Sequence, residues 1–508
     1  MNITSFIKYL NKARGLHIDG NYYSYIELWK QWWMGDYPKF HEIKETASDG
    51  SVTTRLLSSM RMPKRACEDW ASLLLNDKTT VALGDAASSD WLLGKQDQQT
   101  GGVLREVQFW PNANRLMELA MRSGTGAFVL SLEGMLVRGA DVLPSPDARV
   151  CLDYDPAECI LPLTIQHGIV TEVAFASEIV VSGKSCIYLQ THRLVTVGGV
   201  RQYRITNEYF TGDHEDSDEA AYMPAPLPDG VVPGFLTGSD RPWFALLSPN
   251  VVKNIRGGTG LGMAIFSEAL DQAQQVDLAF DNYCQDINLG GKKVFYNRAL
   301  LDTYYDAEGK PHTVTPDTTK RQQFFKLPKD DNDPEAASEW HEYNPDLRVD
   351  DNSKAVQDAL DYFSFKVGFG THHYQFNAGT IATATQYNGD RQDMVQHANK
   401  HQINVEAALI QIFRAMLQAG KMILGAQVDP DTPITINFDD SYITDSETRR
   451  AQMKDDALNG FLPKYRYLME WYGLNETEAR QTVQEAQQEA APTQQALSFT
   501  GGAGGGEG

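Results

Sequence analysis

A glycine-rich segment, Gly257-Gly258-Thr259-Gly260-Leu261-Gly262, precedes a predicted long helix and is the first candidate for chemistry. Free backbone N–H groups at a helix start attract anions, so such a segment could hold a phosphate. However, no Lys-Ser or Lys-Thr pair follows, and the glycine spacing is not that of a dinucleotide fingerprint. No strand–helix–strand unit with an acidic ribose ligand surrounds it either. We therefore interpret the segment as a flexible lead-in to the helix.

The adjacent histidines His372 and His373 are the second candidate, because imidazole is a common metal ligand. Neighbouring side chains in an extended loop point apart, and no third and fourth ligand follow at a supporting spacing. A metal site is therefore not predicted. Two interpretations remain open: the pair is simply exposed, or it contacts a partner or a DNA phosphate.

The remaining residues carry no signature of catalysis. The sequence contains no GxSxG elbow, no HExxH helix and no Cys–His nucleophile pattern. The acidic run 213–219 lacks the ligand spacing of an EF-hand and is predicted to be a solvated loop. The five cysteines form no CxxC pair, and their odd number favours buried free thiols and folding in a reducing cytoplasm. We predict no catalytic residue, cofactor or metal.

The elements that must position these residues follow from hydrophobic periodicity and from glycine and proline punctuation. Residues 1–122 are predicted to be mainly helical, with Trp29, Trp33 and Trp70 on apolar faces and helices over Pro63–Leu75 and Pro111–Arg122. Residues 124–245 are rich in Val, Ile, Tyr and Thr, which predicts a β-rich body. The later predictions are these: a helix over Met263–Asn288, a hairpin turn at Glu308-Gly309, a helix over Ser353–Val367, a loop over 368–382, a helix from a capping box at Thr383–Gln386 to about Gln418, the strand ITINF, and three short helices over 446–490.

The whole chain is long and acidic, and no membrane-spanning segment is predicted. Its 508 residues predict several packed units, and no run of 18 apolar residues or signal peptide is found, so a soluble protein without membrane association is expected. The net charge of −22 disfavours tight static binding of phosphates. The same sign suits a wall along which DNA slides, because repulsion keeps the polyanion from sticking.

Several segments resemble the portal proteins of tailed bacteriophages. These are RGGTGLGMAIFSEALDQAQQVDLAFDNYCQDI leading into a long helix, AVQDALDYFSFKVGFG before a loop that ends in TATQ, the helix DRQDMVQHANKHQINVEAALIQIFRAM, and the tail DDALNGFLPKYRYLMEWYGLNETEARQTVQEAQQE. The resemblance extends over nearly the whole chain, and the C-terminal two-fifths carries most of it.

The resemblance implies a mixed α+β portal fold with a helical stem and crown, an α/β wing and a small β-containing clip, in a ring-forming oligomer. The implied domains are a wing over 1–258, a first stem helix over 259–288, a clip over 289–345 and a second stem helix over 346–367. They continue with a tunnel loop over 368–383, a long wing helix and return strand over 384–445, a crown over 446–490 and a flexible tail over 491–508.

The resemblance also implies partners and sites. The chain is expected to form a homo-oligomer, a dodecameric ring, at the portal vertex of a virion assembled in a bacterial cytoplasm. Double-stranded viral DNA, the terminase large subunit, head–tail adaptor or neck proteins, and the major capsid and scaffolding proteins are the implied partners. The tunnel-loop residues expected at the DNA channel are Gly370, Thr371, His372, His373, Tyr374, Gln375, Asn377 and Thr380. The residues expected at the clip interface are Lys292, Lys293, Tyr304, Tyr305, Lys310, Lys320 and Arg321.

Two other functions fit parts of the sequence. Another head or neck component, such as an adaptor or minor capsid protein, would share the acidic, helix-rich composition, although adaptors are usually much shorter. A nucleotide-dependent enzyme would use residues 257–262, and a nucleotide would then raise its melting temperature.

Overall fold

The computed structural model describes residues 3–46, 50–95, 100–181, 183–212, 222–258, 260–297, 303–313, 324–327, 340–375, 384–438 and 446–490. The chain divides into two compact units, Met1–Phe438 and Asp439–Gly508. It mixes helices and sheets, which confirms the predicted α+β class. Predictions on Thr259, the acidic run 213–219, Lys320, Arg321, Asn377, Thr380, Thr383 and the tail 491–508 lie outside the described residues.

The N-terminal part is mainly helical, as predicted. Its elements are α1 (Ile3–Arg14), α2 (Tyr22–Met34), α3 (Pro38–His41), β1 (Glu42–Thr46), β2 (Val52–Leu56), α4 (Met62–Leu74), β3 (Thr80–Leu83), α5 (Ala86–Leu93), β4 (Gly94–Lys95), β5 (Thr100–Gly101), α6 (Val103–Glu106) and α7 (Phe109–Ser123). Helices α4 and α7 begin within two residues of their predicted starts. Gly124 ends α7 with a φ of 83°, a left-handed conformation that glycine adopts without strain.

The prediction for one tryptophan of α2 was wrong. Trp33 is only partly buried, and its neighbour Trp32 takes the core position instead. Lys64 Nζ and Arg122 Cζ lie 5.1 and 5.5 Å from the centre of the Trp33 ring. Because the face of an indole attracts cations, Trp33 joins α2 to the two helices that carry these cations, α4 and α7.

The β-rich body follows α7. Its strands are β6 (Gly126–Glu133), β7 (Leu136–Arg138), β8 (Asp141–Leu143), β9 (Arg149–Pro156), β10 (Ile160–Gln166), β11 (Ile169–Val181), β12 (Lys184–Val197), β13 (Val200–Thr211), β14 (Met223–Ala225), β15 (Gly234–Leu236) and β16 (Phe244–Leu247). A three-stranded sheet has the order β16-β6-β9, and a larger sheet has the order β10-β11-β12-β13-β15-β8-β7 with β14 on β13. The predicted β-rich unit is confirmed.

The two sheets pack face to face around aromatic side chains. Phe244 of the small sheet lies with its ring centre 6.1 Å from Phe175 and 5.5 Å from His192 of the large sheet. On the other face of the small sheet, Phe128 stacks at 5.5 Å on Phe109 of α7. The first five residues of β6 are therefore buried, which accounts for its unbroken apolar sequence.

Two long helices follow the body, α8 (Leu270–Leu289) and α9 (Val349–Lys366). The start of α8 was predicted at Met263 and is wrong by seven residues. Residues 263–266 are buried, and the Ile265 N–H donates to the Met121 carbonyl at 2.9 Å, so this backbone is bonded to α7 rather than to a helical turn. At about 1.5 Å per residue, the 20 residues of α8 span roughly 30 Å, less than the predicted helix.

Short strands connect α8 to α9: β17 (Lys293–Asn297), β18 (Thr303–Tyr305), β19 (Pro311–Thr313), β20 (Phe324–Leu327) and β21 (Trp340–Tyr343). Strand β17 pairs with β20 in parallel and with β21 antiparallel. Strands β18 and β19 form a hairpin, and the Gly309 N–H donates to the Asp306 carbonyl at 3.0 Å. The predicted turn at Glu308-Gly309 is confirmed.

Helix α10 (Ala384–Ala419) crosses the core and is followed by a single π-type turn and by β22 (Ile434–Asn437), which pairs with β3. By length and composition alone, Gln392–Leu424 is apolar enough to cross a membrane, so the sequence prediction that no segment would qualify was too strict. The most apolar 18 residues of that stretch are more than half buried inside the protein, with Leu409, Ile412 and Phe413 fully enclosed. A core helix has this property.

The C-terminal unit contains α11 (Ser446–Asn459), α12 (Lys464–Tyr472) and α13 (Glu476–Ala490), close to the three predicted helices. Helix α13 begins with a reciprocal cap. The Glu478 N–H donates to the Asn475 side chain at 2.9 Å, and the Asn475 N–H donates to the Glu478 carboxylate at 3.1 Å. This reciprocal pair satisfies two backbone donors that a helix start leaves free.

The cysteines are all free, as predicted, but their predicted burial is confirmed only in part. Cys67 and Cys186 are buried, whereas Cys151, Cys159 and Cys284 are half-buried. Desolvation raises the pKa of the Cys67 thiol well above its ordinary value, which keeps it protonated.

Candidate functional site

The glycine-rich segment 257–262 packs closely against other parts of the protein and is not an open phosphate-binding loop. The Gly258 N–H donates to Asp19 Oδ2 at 3.0 Å, and the Gly262 N–H donates to Thr125 Oγ1 at 2.9 Å. A side chain at Gly258 would clash with the Tyr22 ring, so close packing is the reason for glycine here. Because α8 begins only at Leu270, its N-terminus does not lie at these amides.

Lys253 also binds this segment. Lys253 Nζ donates to the carbonyls of Gly257 and Gly258, at 2.6 Å each, and lies 5.1 Å from the centre of the Tyr22 ring. The segment is thus held by bonds from several directions, in contrast to the flexible lead-in that the sequence predicted.

The loop that follows α9 is described as far as Gln375, and its first part is anchored on the protein. The indole N–H of Trp70 donates to the Val367 carbonyl at 3.0 Å, and the Trp70 ring stacks on Phe369 at 4.5 Å. The His373 ring in turn stacks on Phe369 at 4.3 Å and an angle of 9°. These three rings fix the position of the loop against α4.

The two histidines face different carboxylates, in agreement with the expectation that they point apart. His372 Nδ1 lies 2.9 Å from Asp361 Oδ2 of α9, and His373 Nε2 lies 4.0 Å from Asp69 Oδ2 of α4. His372 has a φ of 65°, a strained conformation for a residue with a side chain. Among the described residues, no group of three or more His, Cys, Asp or Glu could hold a metal.

The electrostatics of the loop base depend on burial. Desolvation raises the pKa of Asp69, although Arg65, Tyr374 and His373 each oppose the rise. Desolvation and the nearby Asp69 also raise the pKa of Tyr374 well above its ordinary value. Gln357 Nε2 donates to the Tyr374 carbonyl at 2.8 Å. Tyr374 is therefore an anchor, whereas Thr371, His372 and Gln375 are exposed.

The predicted channel residues that the structure describes fall into a buried group and an accessible group. Gly370 is buried and has a φ of 81°, and Tyr374 is largely buried, so neither residue is accessible to a ligand. Thr371, His372, His373 and Gln375 remain accessible from this part of the loop.

The clip residues that the structure describes lie on or beside two small sheets. Lys293 pairs in register with Tyr343 in the β17–β21 sheet, and Lys292, just before β17, has its Nζ 2.6 Å from Glu342 Oε1. Tyr304 and Tyr305 are exposed on the β18–β19 hairpin, where the Tyr304 ring stacks on His312 at 5.5 Å. Lys310 lies in the turn, with its N–H bonded to Asp306 Oδ1 at 2.7 Å.

A row of carboxylates on α8 was missed by sequence reasoning. Asp277, which is buried, accepts hydrogen bonds from His41 Nε2 at 3.1 Å, Ser59 Oγ at 2.9 Å and the Met60 N–H at 2.8 Å. One turn later, Asp281 accepts two bonds from the Arg55 guanidinium, at 2.8 and 3.0 Å. The spacing of these two acids, on the face of Ala273, was a visible signal.

A third carboxylate, Asp286, lies on the opposite face of α8 from Asp277 and joins α8 to α9. Asp286 accepts from Arg348 Nη2 and from Asn352 Nδ2, both at 2.9 Å. These bonds join the end of α8 to the start of α9. Because the two helices also pack against each other, they run antiparallel. The carboxylates thus fix the middle of α8 to the N-terminal region and the end of α8 to the start of α9.

No protein-family model matches this chain, and no curated protein matches it.

Proposed function

We propose that this protein is the portal protein of a tailed bacteriophage, one of the identical subunits of a ring through which double-stranded DNA is packaged and ejected. The observation that carries the proposal is the exposed apolar surface of the α8–α9 pair. Within the described residues, large side chains of both helices are left uncovered. They are Leu278 (42% exposed), Ile287 (39%) and Leu289 (59%) of α8, and Tyr362 (64%) and Phe365 (58%) of α9.

Exposed apolar side chains on paired helices favour an interface with another protein. Tyr362 and Phe365 are three residues apart and therefore neighbours on one helix face. Two aromatic side chains of α8, Phe280 and Tyr283, are only half-buried. A second α8–α9 pair would cover these residues. A head-to-tail interface repeated by identical copies closes into a ring when its rotation closes.

The carboxylates of α8 support the same proposal. They bond the helix pair to the N-terminal region from the middle of α8 and join the end of α8 to the start of α9, so the apolar faces are presented by a firmly held element. A preorganised surface loses less entropy on association than a mobile one. In this proposal α8 and α9 are the stem of the portal, and the strands β17–β21 between them are its clip.

The charge of the chain supports a channel for DNA rather than a clamp. A net charge of −22 per subunit repels phosphates, and salt screens this repulsion over about 8 Å. DNA is thus kept off the wall without a long-range barrier. The exposed part of the loop, Thr371 to His373, meets DNA in this proposal, and the protein breaks no bond.

The partners follow from the same assignment. The exposed Tyr304 and Tyr305 of the hairpin belong to the surface that would dock the terminase large subunit during packaging and neck proteins afterwards. The wing would contact the major capsid and scaffolding proteins.

The assembly can be tested on purified protein by light scattering and negative-stain electron microscopy. We expect the wild type to form perforated rings, and Tyr362→Ser with Phe365→Ser to shift it to monomers with an unchanged far-ultraviolet spectrum. Val252→Ser is the matched control, since Val252 is 82% exposed and lies outside both helices; this variant should still form rings. A wild type that stays monomeric at all concentrations, or rings that survive the double substitution, would overturn the proposal.

A further inference from the structure

A groove of about 600 Å³ lies on the large sheet beside α1. Its floor includes the half-buried apolar side chains of Leu163 of β10 and Val195 of β12, and Leu16, just after α1, forms part of its wall. Three arginines line it: Arg14, Arg193 and Arg204. In a chain with a net charge of −22, three cations around one groove set this surface apart.

The arginines differ in their partners. Arg14 is committed, because its guanidinium makes two bonds to the Glu208 carboxylate at 2.5 and 2.7 Å. Arg193 and Arg204 are exposed and have no acidic partner in the part of the chain that the structure describes. They lie directly opposite each other on the antiparallel strands β12 and β13, with Cα atoms roughly 5 Å apart.

This arrangement is unfavourable in the free protein. Like charges directly opposite on neighbouring strands repel each other and destabilise a sheet. An anion between the two guanidiniums would relieve the repulsion, and the forked donors of arginine suit a carboxylate especially well. The geometry therefore points to a ligand that carries a negative group to this pair.

We propose that the groove binds an extended acidic peptide segment of a partner protein, with a carboxylate on Arg193 and Arg204 and, two residues away on the same face, an apolar side chain on the apolar floor. The apolar floor favours a peptide over a nucleic acid, because a phosphodiester backbone brings no aliphatic side chain to cover it. Glu208 within the groove further disfavours a polyanion that must pass along its whole length. This proposal does not depend on ring assembly.

The test uses the full-length protein and a fluorescein-labelled hexapeptide, Asp-Ser-Leu-Ser-Asp-Ser, whose aspartate and leucine side chains share one face when the peptide is extended. Fluorescence anisotropy should show saturable binding, and a peptide with asparagine in place of aspartate should bind at least about tenfold more weakly. Arg193→Gln with Arg204→Gln should weaken binding of the acidic peptide by a similar factor. The matched control is Arg201→Gln, on the same strand but facing away from the groove, and it should leave the affinity unchanged.

Folding of the variants is checked by thermal melting. Because the double substitution removes a repulsion, its melting temperature should equal or exceed that of the wild type. Equal peptide affinity in the wild type and the double variant would overturn the proposal. So would tighter binding of duplex DNA that is lost in the double variant. A tenfold gain in peptide affinity on deletion of residues 213–219 would instead make this chain's own acidic run the occupant.

Discussion

Phe128 and Phe244 of the β-rich body are 0% and 1% exposed, whereas Tyr362 and Phe365 of the α8–α9 pair are more than half exposed. The body fills its interior with its own side chains from two sheets and from α7 and α10. The helix pair is instead positioned by buried and half-buried carboxylates, which leave its apolar faces outward. The body thus completes its burial with its own side chains, whereas the pair leaves the apolar surface that the proposed interface between copies would cover.

The largest effect on stability should come from the body. Phe244→Ala removes a ring that contacts Phe175, His192 and Tyr203, and it leaves a cavity between two sheets that cannot close. We expect the free energy of unfolding to fall by about 3–5 kcal/mol, measured by urea denaturation. Phe244→Leu should cost clearly less. A loss below 1 kcal/mol for the alanine variant would mean that the sheets do not form a tight core.

A somewhat smaller effect should come from the helix pair. Asp277→Ala removes the acceptor of three hydrogen bonds and leaves His41, Ser59 and the Met60 N–H unpaired in a buried position. We expect a loss of about 3 kcal/mol in the free energy of unfolding.

The matched control for this variant is Asp286→Ala. Asp286 also accepts two side-chain bonds, but it lies at the surface, so its loss should destabilise the protein much less. If both substitutions cost the same, burial would not be what makes the Asp277 contacts important, and the contrast between the two regions would weaken.

Much of the local structure could be predicted from the sequence, because its signals are local. Gly124 ends α7, and the Asn475–Glu478 pair starts α13, each through backbone groups only a few residues apart. Short runs rich in Val, Ile, Tyr and Thr indicated the body for the same reason. The start of α8 could not be predicted in this way, since the bond from Ile265 to Met121 joins residues that are far apart in the chain.

The candidate site was predictable in position but not in contacts. Glycines around His372 and His373 indicated a loop, and the two side chains do diverge. Nothing in the sequence shows that Asp69 and Trp70 of α4 would receive this loop, because that contact depends on tertiary packing. The same holds for Asp281 and Arg55, although the four-residue spacing from Asp277 was visible.

Acid should affect the two regions at different pH values. In the body, desolvation lowers the pKa of His192 from 6.5 to about 3. The unfolded chain therefore takes up a proton below pH 6.5 that the folded chain refuses, and stability falls as the pH drops from 6.5 towards 3. For Asp281 on α8, desolvation raises the pKa, but bonds from Arg55 and Ser58 outweigh it and leave the pKa below 3.8. The stability that the ionised Asp281 carboxylate contributes to the folded protein is lost only below about pH 4.

The smallest predicted effect is the slope that follows from this difference. Between pH 6.5 and 4.5, His192→Gln should lose about 1 kcal/mol less of unfolding free energy per pH unit than the wild type, measured by urea titrations at several pH values. Asp155, whose pKa desolvation and Asp153 raise to about 7, acts with the opposite sign but equally in both proteins, so it cancels from the comparison. Equal slopes would show that His192 takes up its proton without unfolding. The interior of the body would then accept a charged imidazolium between its two sheets. Exclusion of charge from the core would therefore no longer distinguish the body from the helix pair.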